Sequence, residues 1–215
     1  ATINKHEEIE NDDIEEAVKK VTVGLEKKER VISDKDKKLT AYHEAGHAVV
    51  GRYLPTQSNV KEVSIIPRGV AGGYTMYKTN EDKYYISKTE MQERLTALLG
   101  GRAAEKLVLN DISTGASNDI EVATNIARDM VTKYGMSDRI GTITLGSNQE
   151  EVFLGRDFAQ SKEYSEETAA IIDEEVKKIV DNAYRRAEQI LKENIDKYCK
   201  ENQKSSNKGE MYQCI

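Results

Sequence analysis

The sequence predicts a mainly α-helical protein with a minor β component. Charged residues make up 33% of the 215 residues, hydrophobic residues make up 38%, and there are only two prolines. Apolar residues recur at helical spacing through most of the chain, whereas the alternation typical of strands is confined to residues 60–77. We therefore expect a helical domain with one small β-hairpin or edge strand, and the chain is long enough to bury a compact core.

The first predicted helix is short and amphipathic. It follows Asp12 and Asp13, which are favourable N-cap residues. Its apolar residues recur at helical spacing: Ile14, Ala17, Val18 and Val21. The charged segment 26–38 is interpreted as a linker, within which Ser33 is a suitable cap for the next helix.

The second predicted helix carries the motif His43-Glu44-Ala45-Gly46-His47. Its two histidines are four residues apart, so they lie about 40° apart on one helical face and can reach a single metal ion. Glu44 projects from the neighbouring face, where it can take a proton from an attacking water and deliver it to a leaving amine. H-E-x-x-H on a helix is typical of zinc-dependent peptidases.

A chance match on an ordinary amphipathic helix is the alternative. The residues around the motif, from Leu39 to Val50, are mostly small and apolar, which predicts a largely buried helix. Buried histidines beside a buried glutamate need partners, and a metal ion would serve. The pattern therefore favours His43 and His47 as zinc ligands and Glu44 as the catalytic base and acid.

Two strands are predicted after the motif helix, over residues 60–66 and 72–77. An open strand edge next to a zinc site could hold an extended substrate by β-augmentation. The candidate substrate edge comprises Gly72, Gly73, Tyr74 and Thr75. Its two glycines would let another backbone approach closely. A structural hairpin with no role in binding is the alternative.

Three further helices are predicted, over residues 88–109, 118–134 and 165–198. Residues 141–160 are expected to be irregular. The last helix would be about 50 Å long if unbroken, so we expect it to break in two or to extend across a subunit interface. Residues 201–215 are expected to form a disordered tail.

The third metal ligand is expected to be a carboxylate, because a catalytic zinc normally has three protein ligands and only His6 remains. Asp119 shares a helical face with apolar residues, so it should point to the core, whereas Glu121 should point to solvent. A charge that merely faces the helix dipole is the alternative for Asp119. Glu105 is the rival ligand, and its other interpretations are an ion pair with Arg102 or a hydrogen bond to a ligating histidine.

Composition excludes several other classes of function. The net charge of −6 gives no basic surface for nucleic acid. The two cysteines, Cys199 and Cys214, form no C-x-x-C pair, so we expect neither a disulfide framework nor a thiolate zinc site. No segment approaches the length of apolar sequence needed to span a membrane, so the chain as given is expected to be soluble.

Six motifs occur in this chain in the order Tyr42-His43-Glu44-Ala45-Gly46-His47-Ala48, Ile65-Ile66-Pro67-Arg68-Gly69, Gly100-Gly101-Arg102-Ala103-Ala104-Glu105, Ser113-Thr114-Gly115-Ala116-Ser117-Asn118-Asp119, Tyr134-Gly135-Met136-Ser137 and Val152-Phe153-Leu154-Gly155-Arg156. Together they resemble the peptidase domain of the FtsH family, the membrane-anchored AAA+ zinc proteases of peptidase family M41, and the resemblance covers residues 12–198. The resemblance implies that Asp119 completes the zinc site and that Glu105 supports a ligating histidine.

The resemblance also implies a homo-hexameric ring that degrades unfolded and membrane proteins delivered by ATP-driven translocation. ATP and Mg²⁺ would act only through the AAA+ module of the full-length chain. That protein is expected at the bacterial cytoplasmic membrane, with this domain on the cytosolic side, rather than in an organelle membrane. The competing interpretation is a non-catalytic, zinc-stabilised oligomerisation module of the ring.

One departure from the family concerns the extent of this chain. No G-x-x-x-x-G-K-[ST] phosphate loop occurs, so we expect an excised domain without its ATPase module and membrane anchor. Residues 1–25 resemble the last helix of the AAA+ lid, 26–38 form the linker, and 39–200 form the zinc peptidase domain. The tail 201–215 does not match the family.

Overall fold

The computed structural model describes residues 8–27, 32–69, 71–78, 84–145, 164–194 and 212–213. Within these residues the structure is mainly helical, which confirms the predicted fold class. Its α-helices are α1 (Asn11–Thr22), α2 (Asp34–Arg52), α3 (Lys88–Leu98), α4 (Gly100–Ala104), α5 (Ser117–Thr132) and α6 (Glu166–Glu193). Its strands are β1 (Val60–Ser64), β2 (Tyr74–Tyr77) and β3 (Tyr212–Gln213).

The three strands form one antiparallel sheet in the order β2-β1-β3. β1 and β2 are the predicted hairpin, and both are shorter than expected. β3 lies in the tail that we expected to be disordered, and its two residues pair with Glu62 and Val63 of β1. β3 thus pairs with the side of β1 that faces away from β2, where backbone groups would otherwise be unpaired. The rest of the tail lies outside the described residues.

Serine side chains fix the start of three helices. The hydroxyls of Ser33, Ser87 and Ser165 accept hydrogen bonds from backbone N–H groups in the first turns of α2, α3 and α6. The cap at Ser33 places the start of α2 inside the segment predicted as a linker. α1 begins before its predicted cap, because Glu10 and Asp13 form a capping box.

The predicted helix over residues 88–109 is interrupted in the structure. α3 ends at Leu98, α4 follows, and the chain then makes a π-helical turn over Glu105–Leu109. That turn ends at Asn110 in the left-handed conformation, with φ of 49°. The apolar period of the sequence continues through the interruption, so it did not reveal the break.

α6 is unbroken over its 28 residues, a length of about 42 Å. The expected division into two helices is therefore wrong for the part of this segment that the structure describes; residues 195–198 lie outside it. The two halves of this helix contribute to different apolar clusters. Ile172 and Val176 pack in the cluster with α3 and α5, while Ile190 and Leu191 pack in the cluster with α2 and α4.

Among the described helices, none combines the length and the apolar character that crossing a membrane requires.

Candidate active site

Two helices bring the three candidate ligands together. α2 presents His43 and His47 one turn apart, and the first turn of α5 presents Asp119. The Nε2 atoms of the two histidines are 3.1 Å apart, and Asp119 Oδ2 lies 3.2 Å from His43 Nε2 and 3.4 Å from His47 Nε2. Ligands at zinc bond lengths in a tetrahedral site are separated by about 3.3 Å, so the spacing suits such an ion.

The opposite ring nitrogens determine which atoms face the centre of this group. His47 Nδ1 lies 2.8 Å from the carbonyl oxygen of Ala97, which can only accept, so this nitrogen carries the hydrogen. His43 Nδ1 lies 2.8 Å from Glu105 Oε1 and donates to that carboxylate. When the rings are neutral, this tautomer turns an Nε2 lone pair of each histidine toward Asp119. Electron pairs that converge in this way require a cation or a proton between them, so the donor set fits a metal ion.

The pKa values show the same preference for positive charge. Burial opposes a charged imidazole at His47, but the hydrogen bond that a protonated Nε2 would donate to Asp119 and the nearby carboxylates outweigh it and raise the His47 pKa. Burial would likewise raise the pKa of Asp119, but its hydrogen bonds to both histidines hold that pKa far below its ordinary value. The Asp119 carboxylate is therefore ionised at neutral pH.

Glu44 lies beside the three candidate metal ligands, called here the metal group (His43, His47 and Asp119), and is almost inaccessible to solvent. Its Oε2 accepts a hydrogen bond of 2.8 Å from the hydroxyl of Thr75 on β2. Burial raises the pKa of Glu44, against the lowering effect of the neighbouring histidines and of this hydrogen bond. A raised pKa suits a carboxylate that must both take and return a proton.

Glu105 lies behind His43 and is fully buried. One oxygen accepts from His43 Nδ1, and the other accepts a 2.8 Å bond from the backbone N–H of Ser113. Arg102 Nη1 is 3.6 Å from that second oxygen. Glu105 therefore makes both contacts that the sequence left open, an ion pair with Arg102 and a hydrogen bond to the candidate ligand His43.

Glycines allow α2 and α4 to approach closely behind the site. A Cβ atom at Gly46 would lie 2.5 Å from the carbonyl oxygen of Gly100. A Cβ atom at Gly101 would lie 2.5 to 2.7 Å from three atoms of the His43 ring. Such distances are far inside van der Waals contact, so the His43 imidazole rests directly on the backbone of α4.

A groove of about 940 Å³ opens in front of the metal group. Its lining includes His43, Glu44, His47 and Asp119 together with all four residues of the candidate substrate edge: Gly72, Gly73, Tyr74 and Thr75. β2 is an outer strand of the three-stranded sheet formed by the described residues, so one of its edges is not paired within that sheet. A Cβ atom at Gly73 would meet Thr40, the Ser64 carbonyl oxygen and Glu44, so this glycine admits α2 and β1 into close contact.

Several contributors to the site were not found from the sequence. The Ala97 carbonyl and the Ser113 N–H act through the backbone, so their side chains give no signal. The hydroxyl of Tyr77 donates to the His47 carbonyl oxygen at 3.3 Å. Gly101 is visible in the sequence only as part of the Gly100-Gly101 pair, which does not identify His43 as its neighbour.

Comparison with known proteins confirms the resemblance in the sequence. The family described as peptidase family M41 matches residues 30–204. The chain is 64% identical over 185 residues to an ATP-dependent zinc metalloprotease FtsH 1 of Thermoanaerobacter sp. (strain X514), covering 86% of this chain and 30% of that protein. It is 62% identical over 190 residues to the ATP-dependent zinc metalloprotease FtsH of Caldicellulosiruptor bescii, covering 88% of this chain and 31% of that protein.

A further relative is the ATP-dependent zinc metalloprotease FtsH of Thermotoga maritima, with 52% identity over 181 residues, 84% of this chain and 30% of that protein. The chain thus spans about 30% of the length of these relatives. With a family match over most of its length and a donor set that suits zinc, this chain belongs to peptidase family M41, a family of zinc metalloproteases.

Proposed function

We propose that this chain is the zinc-dependent endopeptidase part of an ATP-dependent protease, with zinc held by His43, His47 and Asp119. The observation that carries the proposal is the convergence of these three side chains beside the buried carboxylate of Glu44, at the floor of an open groove. A structural zinc site would normally be closed by a fourth protein ligand, whereas the group found among the described residues has three members.

Different residues of this chain have different roles in hydrolysis. Bound zinc would lower the pKa of a coordinated water and polarise the scissile carbonyl. Glu44 takes a proton from the attacking water and later gives it to the leaving amine, so no covalent intermediate with the protein is needed. Glu105 and the Ala97 carbonyl keep the two imidazoles in the tautomer that faces the metal.

The substrate is an extended polypeptide that lies along β2. The free edge of β2 offers backbone hydrogen-bonding groups beside Glu44, and residues 72–75 line the groove. A folded protein rarely presents an extended segment of this kind, which favours unfolded proteins as substrates.

The whole protein supplies those substrates through further parts. The relatives are named ATP-dependent, which supports an AAA+ module that uses ATP and Mg²⁺ and passes unfolded or membrane proteins to this domain. In that arrangement the protein is a homo-hexamer at the bacterial cytoplasmic membrane, with this domain on the cytosolic side. Residues 1–25 are the end of the AAA+ lid, 26–38 the linker and 39–200 the peptidase domain.

Hydrolysis of casein, an unfolded protein, tests the proposal. The 215-residue chain is loaded with zinc and compared, without ATP, with Glu44→Gln, whose zinc content is measured in parallel. We expect cleavage by the wild type and its loss in Glu44→Gln with zinc retained. Near-normal cleavage by Glu44→Gln would exclude the role of Glu44. No cleavage by either, with zinc bound in both, would mean either that the site must be assembled by the full ring or that the chain is a non-catalytic zinc-stabilised oligomerisation module.

A further inference from the structure

The hydroxyl of Thr75 contacts Glu44 at two points. Thr75 Oγ1 is 2.8 Å from Glu44 Oε2 and 3.1 Å from the main-chain oxygen of Glu44. A threonine hydroxyl carries one hydrogen, so it donates to one of these two acceptors at a time. The nearer acceptor is the carboxylate, and hydrogen bonds to ionised groups are the stronger kind.

This contact is made between two well-fixed elements. Thr75 lies in β2, opposite Val63 of β1, and Glu44 lies in the buried part of α2. In the part of the chain that the structure describes, Thr75 is the hydrogen-bond partner of the Glu44 side chain. A buried carboxylate with a single partner takes its orientation from that partner.

We propose that Thr75 is a positioning residue for Glu44: its hydroxyl holds Oε2 so that Oε1 is directed at the attacking water. The inference deepens the proposed function and rests on Glu44 being the base. It gives the Thr75 side chain a role that differs from the backbone role of the substrate edge, because the side chain faces α2 while a substrate would pair with main-chain atoms.

The contact with the main-chain oxygen of Glu44 gives the Thr75 hydroxyl a second acceptor during the reaction. When Glu44 takes the proton, one O–H bond of the water breaks and one forms at the carboxylate, which becomes a weaker acceptor. The hydroxyl hydrogen of Thr75 can then turn to the main-chain oxygen of Glu44, which lies 3.1 Å away. Thr75 neither gains nor loses a proton, and it returns to the carboxylate when the amine leaves.

Thr75→Val and Thr75→Ser separate the hydroxyl from the shape of the side chain. Valine keeps the branched shape and the strand preference but lacks the hydroxyl, and serine keeps the hydroxyl. For zinc-loaded Thr75→Val we expect kcat for casein to fall about tenfold, as for the loss of one hydrogen bond to a charged group. KM should stay within about twofold, because substrate contacts are unchanged.

Thr75→Ser should retain kcat within about threefold of the wild type, because it preserves the donor to the ionised carboxylate. Thr124→Val is the matched control, since the Thr124 hydroxyl is also partly buried but donates to the Ile120 carbonyl oxygen, and neither residue lines the groove. It should leave kcat unchanged. Wild-type kcat in Thr75→Val, or an equal loss in Thr75→Ser, would overturn the inference.

A second measurement does not depend on activity. In the metal-free protein, Thr75→Val should lower the unfolding midpoint by about 2 to 4 °C when Glu44 is present and by less than about 1 °C in a Glu44→Ala background. Equal shifts in both backgrounds would overturn the hydroxyl–carboxylate contact. If Glu44→Gln stops cleavage while Thr75→Val cleaves normally, this inference fails and the proposed function stands. If Glu44→Gln still cleaves, the proposed function itself fails.

Discussion

The metal-binding region and the contact between α1 and the sheet are built in opposite ways. In the metal-binding region, which comprises α2, α4 and the first turn of α5, backbones meet at glycines and the ligands are enclosed by neighbouring elements. At the α1 contact, charged side chains join the two partners. The guanidinium of Arg68 donates to both carboxylate oxygens of Glu16 at 3.0 and 3.2 Å, and Lys19 Nζ lies 2.8 Å from Glu62 Oε2.

Apolar residues of α1 contribute little to that contact. Ile14 and Val21 are 53% and 87% exposed, although both belong to the apolar stripe that predicted the helix. The attachment of α1 therefore depends on charge, which responds to pH and to salt. The geometry of the metal group depends on close packing, which responds to side-chain volume.

The strongest way to break the metal-binding region is to remove its carboxylate. We expect Asp119→Ala to lower zinc affinity more than about 100-fold, beyond the effect of losing an outer hydrogen-bond partner of a ligand. Zinc content after dialysis measures the effect. Glu121→Ala is the control, because Glu121 lies on the same helix and is exposed. If Asp119→Ala retained zinc and Glu105→Ala lost it, Glu105 and not Asp119 would be the third zinc ligand.

Bound zinc should stabilise the metal-binding region more than the contact between α1 and the sheet. At a free concentration about 100 times the dissociation constant, a bound ion adds about 2.7 kcal/mol to the free energy of unfolding. Amide hydrogen exchange should slow in α2 and α5, which supply the ligands, and should not change in α1. If zinc protected α1 as much as α2 and α5, the α1 contact and the metal-binding region would unfold together and would not be independent.

The packing of the metal-binding region can be tested by a substitution that leaves all three candidate ligands in the sequence. In Gly101→Ala the new methyl group would overlap the His43 ring, and overpacking of this kind costs about 2 kcal/mol of stability. We also expect weaker zinc binding, because the ring must move. Gly72→Ala is the control for thermal unfolding, since the nearest atom to its Cβ would be Thr40 Oγ1 at an ordinary 3.5 Å.

The smallest effect is expected at the α1 contact. The hydrogen bond to Arg68 lowers the pKa of Glu16 below its ordinary 4.5, so the pair stabilises the folded state above that pH and the contribution is lost as the pH falls further. Glu16→Gln should cost about 0.5 to 1 kcal/mol at neutral pH. The difference from the wild type in urea unfolding should shrink as the pH falls below 4.5 and in high salt. Zinc content, measured at neutral pH, should be unchanged.

The sequence predicted those parts of the site that are local in the chain. His43, Glu44 and His47 are fixed by helical spacing alone, so the motif predicts their arrangement. Helical phase predicted that Asp119 points inward and Glu121 outward, as the structure shows. The sequence likewise predicted that α2 begins after Ser33 and that α6 begins near Ser165.

Other parts depend on contacts between distant segments and could not be predicted. The support of His47 by the Ala97 carbonyl joins residues 50 positions apart, and the bond from Thr75 to Glu44 spans 31 positions. The end of α3 and the π-helical turn after α4 were also not predicted. The apolar period runs on through them, so it does not show where the helix is interrupted.

The glycines between α2 and α4 have a consequence for protein engineering. Exchanging a helical glycine for alanine is a common way to make a protein more heat-resistant, because alanine favours the helix and restricts the unfolded chain. Here a methyl group at Gly46, Gly100 or Gly101 would lie within 2.8 Å of an atom of the facing helix. Directed evolution for heat resistance should therefore leave these three positions unchanged and accumulate its gains on the exposed faces of α1 and α6.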